Sequence, residues 1–199
     1  MILQELVHYY DRKAQDPDSA LAPEGFEQKE IPFVIVLDDD GALVQIEDTR
    51  SLVGKKKRTR SFLVPQGVKK TSGVAANLLW DNAEYVLGVV TKGKPERVIE
   101  QHAAFKTRLA ELPADDAGLI ATTAFLANLP QDRLAKDPAW EEIVATNPNL
   151  TFQLLGDSEL VCQRADVVAH LLAREADAAQ ETAQGICLVT GRPAEIERL

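Results

Sequence analysis

Cysteine and histidine are scarce in this sequence. Its 199 residues include two cysteines, Cys162 and Cys187, and three histidines. Two cysteines cannot build a disulfide framework, so we expect a reducing cytoplasm as the compartment. Neither cysteine belongs to a C-x-x-C pair, and no two histidines stand at ligand spacing. The sequence therefore predicts no metal site and no cofactor.

Long apolar segments are missing as well. No run approaches the roughly 18 apolar residues that mark a membrane-spanning helix. The opening segment MILQELVHYYDRK has no basic start and no small-residue cleavage site, so it does not resemble a secretory signal. We expect a cytoplasmic protein without a membrane partner. A hydrophobic content of 45% is enough for a substantial core, in one domain or in two small ones.

Acidic residues are absent from one stretch of an otherwise acidic chain. The net charge is −9, yet residues 51–80 hold seven basic residues and no acidic one, so the remaining 169 residues carry −16. The segment KKKRTR at 55–60 alone places five cations in six residues. This segregation predicts one face for phosphate and another for solvent or partners. A solvated flexible loop and a docking loop for an acidic protein are the alternatives.

The apolar patterns predict an α+β fold, with a β-rich N-terminal portion followed by a mostly helical portion with a few short strands. A helix is expected over 2–14, with Leu3, Leu6, Val7 and Tyr10 on one face. Two apolar runs flank Asp40-Gly41, which predicts a β-hairpin. A short strand is expected over 61–65.

The rest of the chain has a helical pattern. We expect a helix to begin at Thr71 or Ser72 and to end at Gly88. Further helices are predicted roughly at 95–112, 115–128, 138–146 and 164–182, and strands at 151–155 and 186–190. The closing GRPAEIERL forms no clear capping element. One domain over 1–199 is the favoured organisation, and a division into 1–92 and 93–199 is the alternative.

An enzymatic interpretation rests on VIVLDDDGAL. An apolar strand followed by D-x-D-G resembles the haloacid-dehalogenase signature, in which Asp38 would attack phosphorus and Asp40 would act as acid and base. GDSEL at 156–160 would then be the late acidic motif, although Val161 stands where a second carboxylate is expected. We favour an acidic hairpin turn, because the residues after Gly41 have the pattern of a returning strand. No catalytic residue is predicted on this interpretation.

The basic stretch carries the predicted nucleic-acid contacts. Lysine and arginine would supply affinity for phosphates, and nearby amide side chains would supply any reading of bases. We expect the second lysine pair to lie across a hairpin from the first basic run, and the N-terminus of the helix in TSGVAAN to approach phosphate. The predicted contact residues are Lys55, Lys56, Lys57, Arg58, Arg60, Gln66, Lys69, Lys70, Ser72 and Asn77. Asn82 is a further candidate for base contacts. Trp80 and Tyr85 could stack on a base, but their helical spacing favours packing in the core.

Five blocks of this sequence resemble one known family in the same order. GFEQKEIPFVIVLDDDG, GKKKRTRSFLVPQ and TSGVAANLLWDNAEYVLG are similar to the N-terminal part of the large subunit of the type I-C CRISPR effector, the Cascade complex. The opening MILQELVHYYDR and the closing GICLVTGRPAEI match the same family. The family's large subunit is considerably longer, so the resemblance implies a truncated N-terminal domain or a naturally short variant, of which we favour truncation.

The resemblance also implies a function and a set of partners. The subunit would recognise the protospacer-adjacent motif (PAM) of target double-stranded DNA, while pairing with guide RNA reads the rest of the target. It would contact the region of the 5′ end of the crRNA and the backbone subunits of the complex. A recruited helicase-nuclease would cut the DNA, so the subunit itself would not be an enzyme. Phage anti-CRISPR inhibitors are expected partners of the basic face.

Overall fold

The computed structural model describes residues 2–14, 16, 21–54, 56–69, 73–180, 184–187, 189 and 191–195. Most strands lie in the first part of this range and most helices in the second. The first part contains α1 (Ile2–Ala14), β1 (Phe26–Glu30), β2 (Phe33–Leu37), β3 (Leu43–Asp48), β4 (Ser51–Val53), β5 (Lys56–Arg58), β6 (Ser61–Pro65), β7 (Trp80–Asn82) and α2 (Ala83–Leu87). The second part contains α3 (Pro95–Leu109), α4 (Ala117–Ala127), α5 (Gln131–Leu134), α6 (Trp140–Thr146), β8 (Asn149–Leu154), α7 (Ala165–Gln180), β9 (Gln184–Ile186) and β10 (Pro193–Glu195). This order confirms the predicted α+β class.

The central sheet has four strands in the order β3-β2-β8-β7. Strand β2 pairs parallel with β8 and antiparallel with β3, and β7 pairs antiparallel with β8. All five residues of β2 are buried, as a continuous apolar run predicts for a strand covered on both faces. Phe152 of β8 packs between Phe105 of α3 and Phe125 of α4, at centroid distances of 6.3 and 6.1 Å. The helices of the second part therefore share one core with the sheet.

The predicted hairpin across Asp40-Gly41 is confirmed. Strands β2 and β3 pair antiparallel, and Gly41 has φ 78° in the turn between them. The carboxylate of Asp38 accepts hydrogen bonds from the backbone N–H groups of Asp40 (3.1 Å) and Ala42 (2.7 Å). An aspartate that bonds the backbone of its own turn stabilises that turn.

Three two-stranded sheets complete the strand pairing of the described residues. β1 pairs with β6, β4 with β5, and β9 with β10, all antiparallel. The strand expected over 61–65 is confirmed as β6. The helix expected over 2–14 is confirmed as α1, but Leu3, Leu6 and Tyr10 on its apolar face are 49%, 56% and 47% exposed. No helix in the described part of the chain is long and apolar enough to cross a bilayer.

The predicted helix beginning at Thr71 or Ser72 is wrong. Residues 73–79 are irregular, β7 follows, and the helix begins only at Ala83, although it ends at Gly88 with φ 63° as expected. Leu79 has φ 63°, which no right-handed helix accommodates. The backbone finds other partners: the N–H of Asn77 donates to Asp81, and the hydroxyl of Thr151 donates to the Leu79 carbonyl. Thr71 and Ser72 both lie outside the described residues.

Other differences concern short elements. The sequence did not indicate β1, β4, β7, α5 or β10. Helices α3, α4, α6 and α7 lie within the predicted ranges, and β8 overlaps the strand predicted at 151–155 but begins two residues earlier and ends at Leu154. The strand predicted at 186–190 instead ends at Ile186, and residues 188 and 190 lie outside the described part. Gly191 forms the turn, and its N–H donates to the Cys187 carbonyl.

Candidate nucleic-acid interface

The basic run forms one strand of an exposed hairpin. Strand β5 pairs with β4, with Val53 opposite Lys56 and Ser51 opposite Arg58, and Gly54 has φ 66° in the connection. All three residues of β5 are exposed. Because side chains alternate along a strand, Lys56 and Arg58 project from one face of the hairpin and Lys57 from the other. Lys55 lies outside the described residues.

An ion-pair network fastens the base of this hairpin. The guanidinium of Arg50 hydrogen-bonds both Asp48 and Glu142 and lies over the Phe33 ring, 4.7 Å from its centroid. These side-chain hydrogen bonds hold the pKa values of Asp48 and Glu142 below their ordinary range and raise the pKa of Arg50. Lys57 lies 3.4 Å from Asp48. Arg50 thus links the hairpin to α6 and to the central sheet, a role the sequence did not indicate.

A second group of cations lies on one face of the β1–β6 pair. Lys29 of β1 stands opposite Phe62 of β6, and its ammonium lies 5.0 Å from the centroid of Trp80. The guanidinium of Arg60 lies 4.7 Å from the centroid of Phe62. We call Lys29, Arg60, Phe62 and Trp80 the cation–aromatic face. Both distances are within the range of cation–π attraction.

Lys29 was not predicted as a site residue. It stands in the segment FEQKE, between acidic residues and far from the basic run. Only the pairing of β1 with β6 brings it beside Arg60 and Phe62. No feature of the local sequence could have indicated this position.

The cation–aromatic face borders a polar cleft of about 420 Å³. Lys29, Trp80, Asn77, Asn82 and Asn149 line the cleft. The side-chain carbonyl of Asn77 accepts a hydrogen bond from the Val68 N–H at 3.0 Å, and that of Asn82 caps α2. The predicted candidates Asn77 and Asn82 therefore lie together at this cleft, and each also supports the local backbone.

The remaining predicted contact residues follow β6. Gln66 is exposed, with its N–H bonded to the Gly25 carbonyl at 2.8 Å, and Lys69 is also exposed. The expected hairpin between the basic run and the second lysine pair is wrong, because β5 pairs with β4 while β6 pairs with β1. Five residues of β6, about 17 Å of extended chain, separate Arg60 from Gln66. Lys70 lies outside the described residues.

The two aromatic candidates are core residues. Trp80 and Tyr85 are each 3% exposed. The indole N–H of Trp80 donates to the Pro65 carbonyl at 2.8 Å, which ties β7 to the end of β6. Packing, the favoured interpretation of both residues, is confirmed. Trp80 still presents part of its ring to the cleft that it lines.

The acidic motifs of the enzymatic interpretation follow neighbouring parallel strands, since Leu37 stands beside Leu154. One carboxylate of each motif nevertheless has a structural partner. Asp38 bonds its own turn, and Asp157 pairs with Arg164. Strand β3 returns antiparallel after Gly41, which is the connection of a hairpin and not of a parallel α/β unit. Within the described residues, no three His, Cys, Asp or Glu side chains form a group that could hold a metal ion.

Cys162 is a free thiol. Cys162 is fully buried beside the sheet, and burial raises the pKa of its thiol to about 12. A thiol held in its protonated form is a poor nucleophile. His102 is half-buried, and its Nδ1 lies 2.9 Å from the Tyr85 carbonyl. Burial lowers the pKa of His102.

Comparison with protein-family models identifies a family that covers most of the chain. A family model described as CRISPR-associated protein (Cas_Csd1) matches residues 6–199. The matched range includes the basic hairpin, the cation–aromatic face and the polar cleft, together with the helical second part. No curated protein gives a significant match.

Proposed function

Since this chain belongs to the Cas_Csd1 family of CRISPR-associated proteins, we propose that it is the DNA-recognition subunit of an RNA-guided type I-C effector complex. In this proposal guide RNA reads the target by base pairing, and the subunit binds the duplex next to the target at the PAM. The chain itself carries out no chemistry. The family that the five sequence blocks resemble is the one matched over residues 6–199.

The observation that carries this proposal is the exposed basic hairpin beside the cation–aromatic face. The described cations of the basic stretch are all exposed: Lys56, Lys57, Arg58, Arg60 and Lys69. Lys29 adds a sixth cation through strand pairing. The net charge of −9 would repel a phosphate backbone elsewhere on the surface, so attraction is concentrated at this stretch.

Selectivity would come from the polar cleft. Asn77, Asn82 and Asn149 bring three amide groups to its wall, and asparagine can both donate to and accept from a base edge. The ammonium of Lys29, held over Trp80, would orient a phosphate at the mouth of the same cleft. Backbone contacts at the hairpin and base contacts at the cleft would then be made by separate groups.

The same proposal assigns the partners. The chain would contact the region of the 5′ end of the crRNA and the backbone subunits of the complex in the cytoplasm. The helicase-nuclease that cuts the DNA would be recruited afterwards. An anti-CRISPR inhibitor that mimics DNA would bind the basic face, because an acidic protein surface satisfies the same cations.

The salt dependence of duplex binding tests the phosphate contacts. Five neutralised phosphates give a log–log slope of about −4.5. The triple variant Lys56→Ala, Lys57→Ala, Arg58→Ala removes three of these cations, so the slope should become shallower by about 2.7. Binding of a short duplex to the chain, measured by fluorescence anisotropy across a salt series, gives both slopes.

A matched control separates this effect from net charge. The triple variant Arg12→Ala, Lys94→Ala, Lys136→Ala also removes three exposed cations, but from other parts of the surface. Its slope should equal that of the unmodified chain. Equal changes in the two triple variants, or no change in either, would remove the hairpin from the interface.

PAM reading is tested in the assembled complex, on duplexes that differ only in a three-base flank. Gly67 lies at the cleft, where an added Cβ would be 3.0 Å from a Glu27 carboxylate oxygen and 3.2 Å from the Trp80 ring. Gly67→Ala should therefore narrow the affinity difference between flanks while leaving the salt slope unchanged. If the unmodified complex binds every flank with equal affinity, the proposed PAM reading is wrong and only the proposed backbone contacts remain. An undiminished flank preference in Gly67→Ala would place base reading outside the cleft.

A further inference from the structure

A cavity of about 230 Å³ adjoins the end of β6 and the residue that follows it. Pro65 and Gln66 form one wall, and two arginines from distant helices, Arg108 of α3 and Arg174 of α7, form another. The remaining lining is largely apolar, with Phe26, Leu78 and Leu171. None of the contacts that we assign to DNA recognition involves either arginine.

The two arginines share a single carboxylate. Arg174 donates to Glu111 at 2.6 Å, and a guanidinium nitrogen of Arg108 lies 3.6 Å from the same Glu111 oxygen. Among the described side chains of this cluster, two positive charges therefore face one negative charge. The Nε of Arg108 and the Nη1 of Arg174 are buried without a hydrogen-bond partner among the described residues. Buried guanidinium N–H groups are normally satisfied, so their lack of a partner here calls for an acceptor.

We propose that this cavity is a binding site for a phosphate group, held by Arg108 and Arg174 together with the amide of Gln66. Guanidinium groups suit phosphate because their planar N–H donors match its oxygen pairs. The excess positive charge of the cluster favours an anion over water. The apolar wall strengthens the attraction by excluding water from part of the site.

The bound phosphate group could come from two sources, given the position of the cavity. Pro65 and Gln66 line the cavity, while Gly67 and Val68 line the polar cleft, so four consecutive residues contribute to the two sites. A nucleic acid that lies along residues 65–68 can place a phosphodiester in the cavity while it also contacts the polar cleft. A free phosphate compound in solution can occupy the cavity alone. The site itself does not depend on the proposed function.

Inorganic phosphate is the direct probe. Titration of the full chain, followed by calorimetry at constant ionic strength, should show saturable binding with one site. Arg108→Gln and Arg174→Gln should each weaken this binding by about tenfold or more, because each removes a charged donor. Arg12→Gln, at an exposed position on α1, should leave it unchanged. Absence of saturable binding, or an equal loss in Arg12→Gln, would overturn the site.

A variant with an expected gain of phosphate affinity excludes misfolding as the cause of the changes in binding. Glu111→Gln removes the carboxylate that competes for both arginines, so phosphate affinity should rise by about tenfold. Asp115→Asn makes the same change of charge at an exposed carboxylate nearby and should have no such effect. A gain of phosphate affinity in Glu111→Gln could not come from an unfolded chain. A loss of affinity would contradict the assigned geometry.

Duplex DNA distinguishes the sources. If the phosphate belongs to a nucleic acid, Arg108→Gln should reduce the salt slope of duplex binding by about 0.9. If it belongs to a free compound, that slope stays constant while the inorganic phosphate affinity still falls, and the site stands. If the chain binds no DNA at all, the proposed function fails and the phosphate titration still decides the site. If the chain binds duplex DNA but shows no saturable binding of inorganic phosphate, the phosphate site is wrong and the proposed function stands.

Discussion

The tip of the central hairpin provides the sharpest test of the packing. Gly41 has φ 78°, and a Cβ added there would lie 2.4 Å from the Ala121 carbonyl oxygen and 2.9 Å from the Ala124 Cβ. Both atoms belong to α4, which covers the sheet. A methyl group at position 41 therefore cannot be accommodated unless the hairpin tip and the helix move apart.

The expected cost of Gly41→Ala has two parts. The left-handed backbone costs a residue with a Cβ about 1–2 kcal/mol. Displacing packed groups to admit an extra methyl costs about 1–3 kcal/mol more. We expect a loss of about 3 kcal/mol in the free energy of unfolding, a large share of the roughly 5–15 kcal/mol of a typical domain.

Gly156→Ala is the matched control. Gly156 has φ 91°, but an added Cβ would meet nothing within 4 Å, so only the backbone cost of about 1 kcal/mol applies. Urea denaturation followed by tryptophan fluorescence measures both variants, with the m-value as a check on two-state unfolding. Equal losses in the two variants would refute the close approach of the hairpin tip to α4.

Three further predictions concern groups inside the fold. Asp116 is buried, caps α4 through the Gly118 N–H at 2.7 Å and pairs with Arg164, so Asp116→Ala should cost about 2–4 kcal/mol in urea denaturation. The exposed neighbour Asp115→Ala should stay within about 0.5 kcal/mol, and similar losses would contradict the assigned cap. Burial raises the pKa of Glu84, but hydrogen bonds from residues 91–93 outweigh this and hold the pKa below its ordinary value. Its stabilisation is therefore complete above the unfolded pKa and lost as pH falls through the folded pKa, so the urea midpoint of Glu84→Gln should depend less on pH between about pH 5 and pH 2. Cys162, with its pKa raised to about 12 by burial, should resist iodoacetamide in the folded chain and react in urea, and rapid alkylation of Cys162 itself in the folded chain, assigned by peptide mass analysis, would contradict its burial.

Charge and periodicity identified much of the candidate interface because both are local properties. Five cations in six residues indicate an exposed segment wherever it lies in the fold, and β5 is indeed fully exposed. The Asp40-Gly41 turn was recognisable because few residue pairs tolerate its backbone angles. Apolar spacing of three and four residues likewise predicted the four longer helices of the second part.

The same reasoning failed where a pattern has two physical explanations. Val74, Leu78 and Leu79 have helical spacing, yet they belong to an irregular segment. Apolar side chains at these positions need only burial. The backbone there forms hydrogen bonds with Asp81 and Thr151 instead of helical ones, and the spacing of apolar residues does not indicate such bonds. The predicted second hairpin failed because strand partners are chosen by long-range packing.

The amino-acid sequence alone determined the α+β class, the hairpin turn, the concentration of positive charge and the family resemblance, since each depends on residues that are close along the chain. The folded chain added Lys29 to the interface, placed Arg50 at the hairpin base and brought Arg108 together with Arg174. These groupings join residues separated by 31 to 92 positions, and only the packing of strands and helices around a common core sets such distances. The physical reason is that local patterns encode which elements form, while the burial of their apolar faces selects which elements meet.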